Sequence, residues 1–268
     1  MSARPRFSCA LVTGASGGLG RALAQVLAPR CERIVLVARR ESALSELAAE
    51  LGERAVPLVL DLARPDPAAR LLAALREADV APGEVDLLIN NAATTVFGPL
   101  VETPLERLQV AQRVNLAAPL ELMHQFGGLM RTAGRGTLVS VASVAAFGTG
   151  PLMSAYYAEK NWLRVLSLSL DAELTPHGVR VLTVCPGPFK SAFHATAGMP
   201  SAAAAASRLP AAADVARRIL RAIERGERLV PIGPAAGIWA LLAPRLPWRL
   251  SRWIMARLQA ARLDDRRG

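Results

Sequence analysis

Short runs of apolar residues, each closed by glycine or a polar cluster, alternate along this chain with stretches of helical period. Ser8–Thr13, Arg33–Ala38, Val56–Leu60 and Val85–Ile89 are rich in Val, Ile and Leu, the pattern of strands covered on both faces. Arg21–Leu27, Glu41–Leu51 with Gly52 behind it, and Ala68–Ala78 set apolar positions three and four apart, as amphipathic helices do. Thr137–Ser143, Val179–Val184 and Arg228–Ile232 continue the strands. Alternation at this spacing predicts an α/β fold: a doubly wound parallel sheet of seven strands with helices on both faces, taking ligands at the strands' carboxyl ends.

Two segments depart from the alternation. Pro188–Ala213 is rich in Ala, Pro and Gly without periodicity and reads as a lid over a ligand. Its Phe189, Phe193, His194 and Met199 either face an apolar substrate or pack on the core. Asp214 is expected to cap the helix that follows. Beyond a core of residues 1–233, residues 234–268 form a basic helical extension. Leu246, Leu250, Trp253, Ile254 and Leu258 share one helical face there, and Arg245, Arg249 and Arg252 another. Such a helix docks on its own domain or a second subunit, or lies in a membrane interface.

A length of 268 residues with 52% hydrophobic residues supports one large domain. The net charge of +10, carried almost wholly by arginine, favours anionic partners and says nothing of fold. No recognition motif is interleaved with the basic residues, so nucleic acid is not expected as a partner. Cys9, Cys31 and Cys185 are odd in number and widely spaced, which reads as free thiols in a reducing, cytoplasmic setting. The residues before Phe7 lack a signal peptide's long apolar region, and the apolar run Ile238–Ala243 is far shorter than the ~20 residues of a span. A soluble or membrane-peripheral protein is expected. His124, His177 and His194 stand apart and no Cys/His cluster has ligand spacing, so no metal is expected.

The candidate chemistry lies at the strand ends. The first strand runs into Gly14, Ser16, Gly18, Leu19 and Gly20 and then a helix, a Rossmann-like arrangement whose glycines admit a pyrophosphate to the helix amides. The second strand ends in Arg39 and Arg40, where a carboxylate would hold a ribose hydroxyl; arginine suits a 2′-phosphate, predicting NADP(H). Asp61, followed by Leu62, either accepts the adenine amino group or caps a turn. Asn90, Asn91 and Ala92 follow the fourth strand at the same edge. Tyr156 and Lys160 are one helical turn apart, so the ammonium is expected to lower the phenol's pKa and make it an acid/base. Ser143, from the neighbouring strand, is placed to hold a substrate oxygen. Lys160 and Lys190 are the only lysines among many arginines, which sets Lys160 apart from a solvated surface charge.

Thr13–Gly20, Asn90–Ala93, Val114–Asn115, Ser143, Tyr156 with Lys160, and Pro186–Gly187, in this order, resemble the short-chain dehydrogenase/reductase family over about residues 8–233. The resemblance implies Tyr156 as acid/base, Ser143 as oxygen holder, Lys160 on the nicotinamide ribose, and Asn115 holding a relay water. Pro186, Gly187, Phe189 and Ser191 would contact the nicotinamide end. Ala93 stands where the family usually has glycine. The implied activity is hydride transfer between NADP(H) and the carbonyl or secondary alcohol of an apolar substrate, in a homodimer or homotetramer. A cofactor-binding sensor or scaffold without turnover is the alternative.

Overall fold

A computed structural model describes residues 6–191, Phe193, 209–233 and 235–264, the side chains of 248 and 258–264 excepted. Seven parallel strands, β1 (Phe7–Thr13), β2 (Cys31–Ala38), β3 (Ala55–Val59), β4 (Val85–Asn90), β5 (Gly136–Val141), β6 (Val179–Pro186) and β7 (Leu229–Ile232), lie in the order 3-2-1-4-5-6-7. Chain order reverses between β1 and β4, and the crevice for a ligand opens there.

Alternate residues of each strand enter two cores. Ala10, Val12, Ile34 and Leu36 meet α1 (Gly18–Leu27), α2 (Glu41–Leu51) and α7 (Ala212–Arg225) on one face. Cys9, Leu11, Val35 and Leu88 meet α3 (Pro67–Glu77), α5 (Ala118–Ala133) and α6 (Ser154–Leu174) on the other. Both faces are covered, which is why the strands read as unbroken apolar runs. α4 (Leu105–Gln112) joins α5 through one π-helical stretch, Arg113–Ala117, that holds Asn115.

Helix α1 starts three residues earlier than the periodicity indicates, so Gly18 and Gly20 lie inside its first turn. Asp214 is not the N-cap of α7: the helix starts at Ala212, and the Asp214 carboxylate, three positions past Ala211, accepts from the Ala211 amide at 3.3 Å.

The extension contributes α8 (Ala236–Leu242) and α9 (Trp248–Asp264). Trp239 and Ala243 pack with Ala142, Phe147 and Cys185, and the Trp239 ring lies against Gly148. On α9, Ser251 and Met255 are buried, whereas Leu250 and Trp253 are exposed and Ile254 is half-buried. The buried face of α9 is therefore offset from the expected apolar stripe. The Leu258 side chain falls outside the described residues. Among the described residues no helix is long and apolar enough to cross a membrane.

Candidate active site

The junction of β1, β4 and α1 is built for close approach. Gly14 has a left-handed φ of +70°, and a Cβ there would stand 2.9 Å from the Ala92 Cα. On Gly20, a Cβ would run into the Gly14 carbonyl oxygen. The Thr13 hydroxyl accepts from the Asn91 and Ala92 amides at 2.9 and 3.0 Å and donates to the Ile89 carbonyl, and the Asn91 side-chain amide donates to the Thr13 carbonyl. This staple fixes the ends of β1 and β4. No side chain caps the first turn of α1 and no acidic residue stands in it, so its amides remain open to an anion. The residues present thus fit a dinucleotide.

At the end of β2, Arg40 donates to the Ser16 carbonyl at 2.8 Å and to its hydroxyl at 3.3 Å. Arg39 and Arg40 are both exposed at the cleft. Asp61 also lines it, and its carboxylate accepts from the Ala63 amide at 3.0 Å, capping that turn.

The reacting groups come from β5 and α6. β5 ends at Val141, and Ser143, just past it, caps the 3-10 turn Val144–Phe147 by accepting from the Ala145 amide at 3.1 Å. Its hydroxyl is hydrogen-bonded with the Tyr156 phenol. Lys160 Nζ stands 5.8 Å from the Tyr156 ring centroid and donates to the Val141 carbonyl at 2.9 Å. Ser143, Tyr156 and Lys160 open into one cleft of about 530 Å³ with Gly14, Ser16, Gly18, Leu19 and Gly20. Leu62, Asn91, Ala92, Pro186, Gly187, Phe189 and Ser191 line the same cleft.

The electrostatics differ from expectation. Burial pushes the Tyr156 phenol above its ordinary value; the Ser143 hydrogen bond opposes this, while Tyr157 and Glu159 add to it. Burial thus outweighs the lowering expected from the Lys160 ammonium, which stands 5.8 Å from the ring centroid. Burial also pushes Lys160 itself down to about 8, with Glu159 and Cys185 acting the other way.

Asn90 and Asn115 lie behind the cleft wall. With Lys160 they line a separate inner cavity of about 10 Å³, the size of a single water site. Asn115 accepts from the Thr94 amide and donates to the Thr94 carbonyl at 2.7 Å and to Glu159 at 2.5 Å. Asn90 was expected on the cofactor; instead it ends β4, 5% exposed, with its amide nitrogen lacking a partner among the described residues.

The sequence reading missed Met153, Tyr157 and Glu159. Met153, Tyr156, Tyr157 and Lys160 follow the i, i+3, i+4, i+7 spacing of one helical face, a signal that was available. Met153 and Tyr157 join Phe97 and Leu152 in an apolar cluster beside Tyr156, and the Phe193 ring lies 5.6 Å from that of Tyr156. His194 and Met199 lie outside the described residues, with most of the expected lid. Among the described residues no group of three His, Cys, Asp or Glu side chains could hold a metal ion.

An open helix terminus at the switch point of a parallel sheet, facing a serine, a tyrosine and a lysine, defines the class of nicotinamide-dependent oxidoreductases with a Rossmann-like fold. Within that class the chain belongs to the short-chain dehydrogenase/reductase family: the family model for short chain dehydrogenases matches residues 8–200. A short chain dehydrogenase of Pseudocercospora fijiensis is 35% identical over 188 residues, 68% of this chain and 60% of that protein. A very-long-chain 3-oxoacyl-CoA reductase of Phaeosphaeria nodorum is 33% identical over 67% of this chain and 54% of its own length. The chain thus matches little more than half the length of these relatives. A short-chain dehydrogenase of Sphingobium yanoikuyae, solved in complex with NADPH, superposes with a TM-score of 0.78 at 30% identity, covering 89% of this chain and 94% of that one. Another, from Burkholderia phymatum in complex with NAD, gives 0.77 at 25% identity, covering 88% and 92%.

Proposed function

We propose that this chain is an NADP(H)-dependent reductase of carbonyls, reversibly oxidising secondary alcohols, with an apolar substrate. The carrying observation is the convergence of Ser143, Tyr156 and Lys160 on the cleft that holds the glycine turn. The nicotinamide, when bound, supplies a hydride. The Ser143 and Tyr156 hydroxyls then receive the substrate oxygen, and Tyr156 gives it a proton as negative charge develops there. A phenol raised by burial is protonated at neutral pH, which equips the site for the reductive direction. Arg39 and Arg40, which take the place at the end of β2 where a carboxylate would hold a ribose hydroxyl, support the 2′-phosphate form, and the complex of the Sphingobium protein with NADPH agrees. Met153, Tyr157, Phe189 and Phe193 support an apolar substrate.

The test is NADPH oxidation, followed by absorbance, across a panel of aliphatic, aromatic and steroid-like ketones. Turnover with at least one is expected. Tight NADPH binding without turnover on any of them would favour the sensor reading. Arg39→Ala is expected to weaken NADPH about tenfold or more and NADH little; equal losses would refute the phosphate assignment.

Three buried free thiols support a reducing, cytoplasmic setting, and assembly as a homodimer or homotetramer accords with the family. Ile238, Leu241, Leu250 and Trp253 are exposed on the extension, as are Arg249, Arg252 and Arg257, which supports peripheral contact with an anionic membrane. Vesicles rich in phosphatidylglycerol should sediment the protein, and Trp253→Ser combined with Leu250→Ser should reduce that severalfold; unchanged sedimentation counts against contact.

A further inference from the structure

Ser143 stands where β5 gives way to the 3-10 turn Val144–Phe147, and its place against Tyr156 depends on that turn. Its hydroxyl accepts from the Ala145 amide at 3.1 Å and its carbonyl accepts from the Ala146 amide at 3.0 Å, so the side chain loses its direction if the turn shifts. Beyond the turn come Gly148, Thr149 and Gly150, a stretch whose two glycines supply backbone freedom and little restraint. The turn therefore needs support from neighbouring elements.

One side is supplied by α6, the helix that carries Tyr156. Asn161 and Arg164 both donate to the Ala146 carbonyl, at 2.8 and 3.3 Å, and the Arg164 guanidinium lies 5.0 Å from the centroid of the Phe147 ring. The opposite side is supplied by α8 of the extension. Trp239 packs in one cluster with Ala142, which precedes Ser143, with Phe147, which ends the turn, and with Cys185 of β6. A Cβ on Gly148 would stand 3.0 Å from the Trp239 Cζ2, so the ring lies directly on that backbone. Helix α8 is itself anchored: Ala236 is buried, its Cβ borders Gly187 and Gly233, and its amide donates to the Gly233 carbonyl at 3.1 Å.

We propose that Trp239 is a positioning residue, which closes the turn against α6 and thereby holds the Ser143 hydroxyl at the substrate oxygen. Trp239 is absent from the described residues that line the cleft, so it acts on the reaction through Ser143. The effect on turnover rests on the reductase reading; the effect on the turn does not. By this contact the extension becomes part of what shapes the site.

Trp239→Ala should lower kcat/KM for ketone reduction about tenfold or more with NADPH affinity within a few-fold of wild type, because small displacements at the reacting atoms are costly. Trp239→Phe keeps an aromatic face on Gly148 and should restore most of the loss. In a Ser143→Ala background, Trp239→Ala should cost less than about twofold, since the residue through which it acts is gone. An undiminished loss there would show a general loosening of the fold and overturn the proposal. Gly148→Ala is an independent probe: its methyl meets Cζ2 and should lower kcat/KM severalfold, a loss that Trp239→Phe, lacking that atom, relieves; no relief counts against the contact. Hydrogen exchange reads the turn without turnover. The Ala145 amide, bonded to Ser143 Oγ, should exchange about tenfold faster in Trp239→Ala, whereas Leu138 and Val139 in β5 keep their rates. An unmoved Ala145 amide, or equal acceleration in β5, overturns the proposal. A wild type that reduces no ketone would refute the reductase reading and leave the exchange measurement to decide the role of Trp239.

Discussion

At the residue scale, Tyr156 and Lys160 show how a helical spacing acquires its chemistry only from surroundings. One turn of helix brings the two side chains to one face, yet the net effect on the phenol is set by desolvation and by Ser143. The ammonium is itself destabilised by burial, which pushes its pKa down to about 8. Tyr156→Phe removes the proton donor and leaves the ring in place beside Phe193. It is expected to lower kcat by about 10³-fold with NADPH affinity within a few-fold of wild type. A Phe variant retaining more than a tenth of the activity would displace Tyr156 from its role.

At the element scale, the cofactor cradle depends on where α1 begins. The helix starts at Gly18, so its first turn is made partly of glycine and passes against the Gly14 carbonyl. That costs helix propensity, about 1 kcal/mol per glycine, and leaves open amides and room for a ligand backbone. Gly20→Val should abolish measurable cofactor binding, read by NADPH fluorescence, because its Cβ cannot coexist with the Gly14 oxygen unless β1 and α1 separate. Undiminished binding would show that the first turn is not the cradle. Helix α6 is held at its far end by Asp171, whose carboxylate accepts from the Val181 amide at 2.8 Å and pairs with Arg228 at 2.5 Å. Near its middle, Ser167 bonds Ser140 of β5 at 2.8 Å. These polar ties orient the helix that presents Tyr156 and Lys160.

At the scale of the whole molecule, the two-sided core sets the response to alkali. Cys9, Cys31 and Cys185 are fully buried, and burial pushes each thiol from an ordinary 9.0 to about 12. The folded chain keeps these protons between about pH 9 and 12 while the unfolded chain sheds them, so stability present below pH 9 is lost across that window. Lys160 acts oppositely: its folded value is depressed from 10.5 to about 8, so between those values the unfolded chain binds the extra proton and folding gains as pH rises. The three thiols, joined by the Tyr156 phenol that burial also raises, outweigh the one ammonium, leaving a net loss of roughly 3 kcal/mol per pH unit near pH 10 at about 1.4 kcal/mol per proton. Urea midpoints should therefore fall steeply from pH 9 to 10.5, and a flat profile would contradict the burial of the thiols.

The amino-acid order by itself determined the parallel sheet and the place of the ligand. Runs such as Ser8–Thr13 can be satisfied only when covered on both faces, and glycine after such a run leaves few ways to turn. Tyr156, Lys160 and Ser143 were legible because each departs from its local background. Asn90 was not: it follows the same strand end as Asn91, and only the direction of its side chain sends it behind the wall rather than into the cleft. Glu159 reads locally as one more charge on a helix, and becomes a buried carboxylate because the π turn brings Asn115 against it. The buried face of α9 is likewise a tertiary decision, since Ser251 and Met255 are buried while Leu250 and Trp253, on the expected apolar stripe, are exposed. Periodicity records which residues avoid water along one element; which side chains share a cavity depends on contacts between residues far apart in the chain.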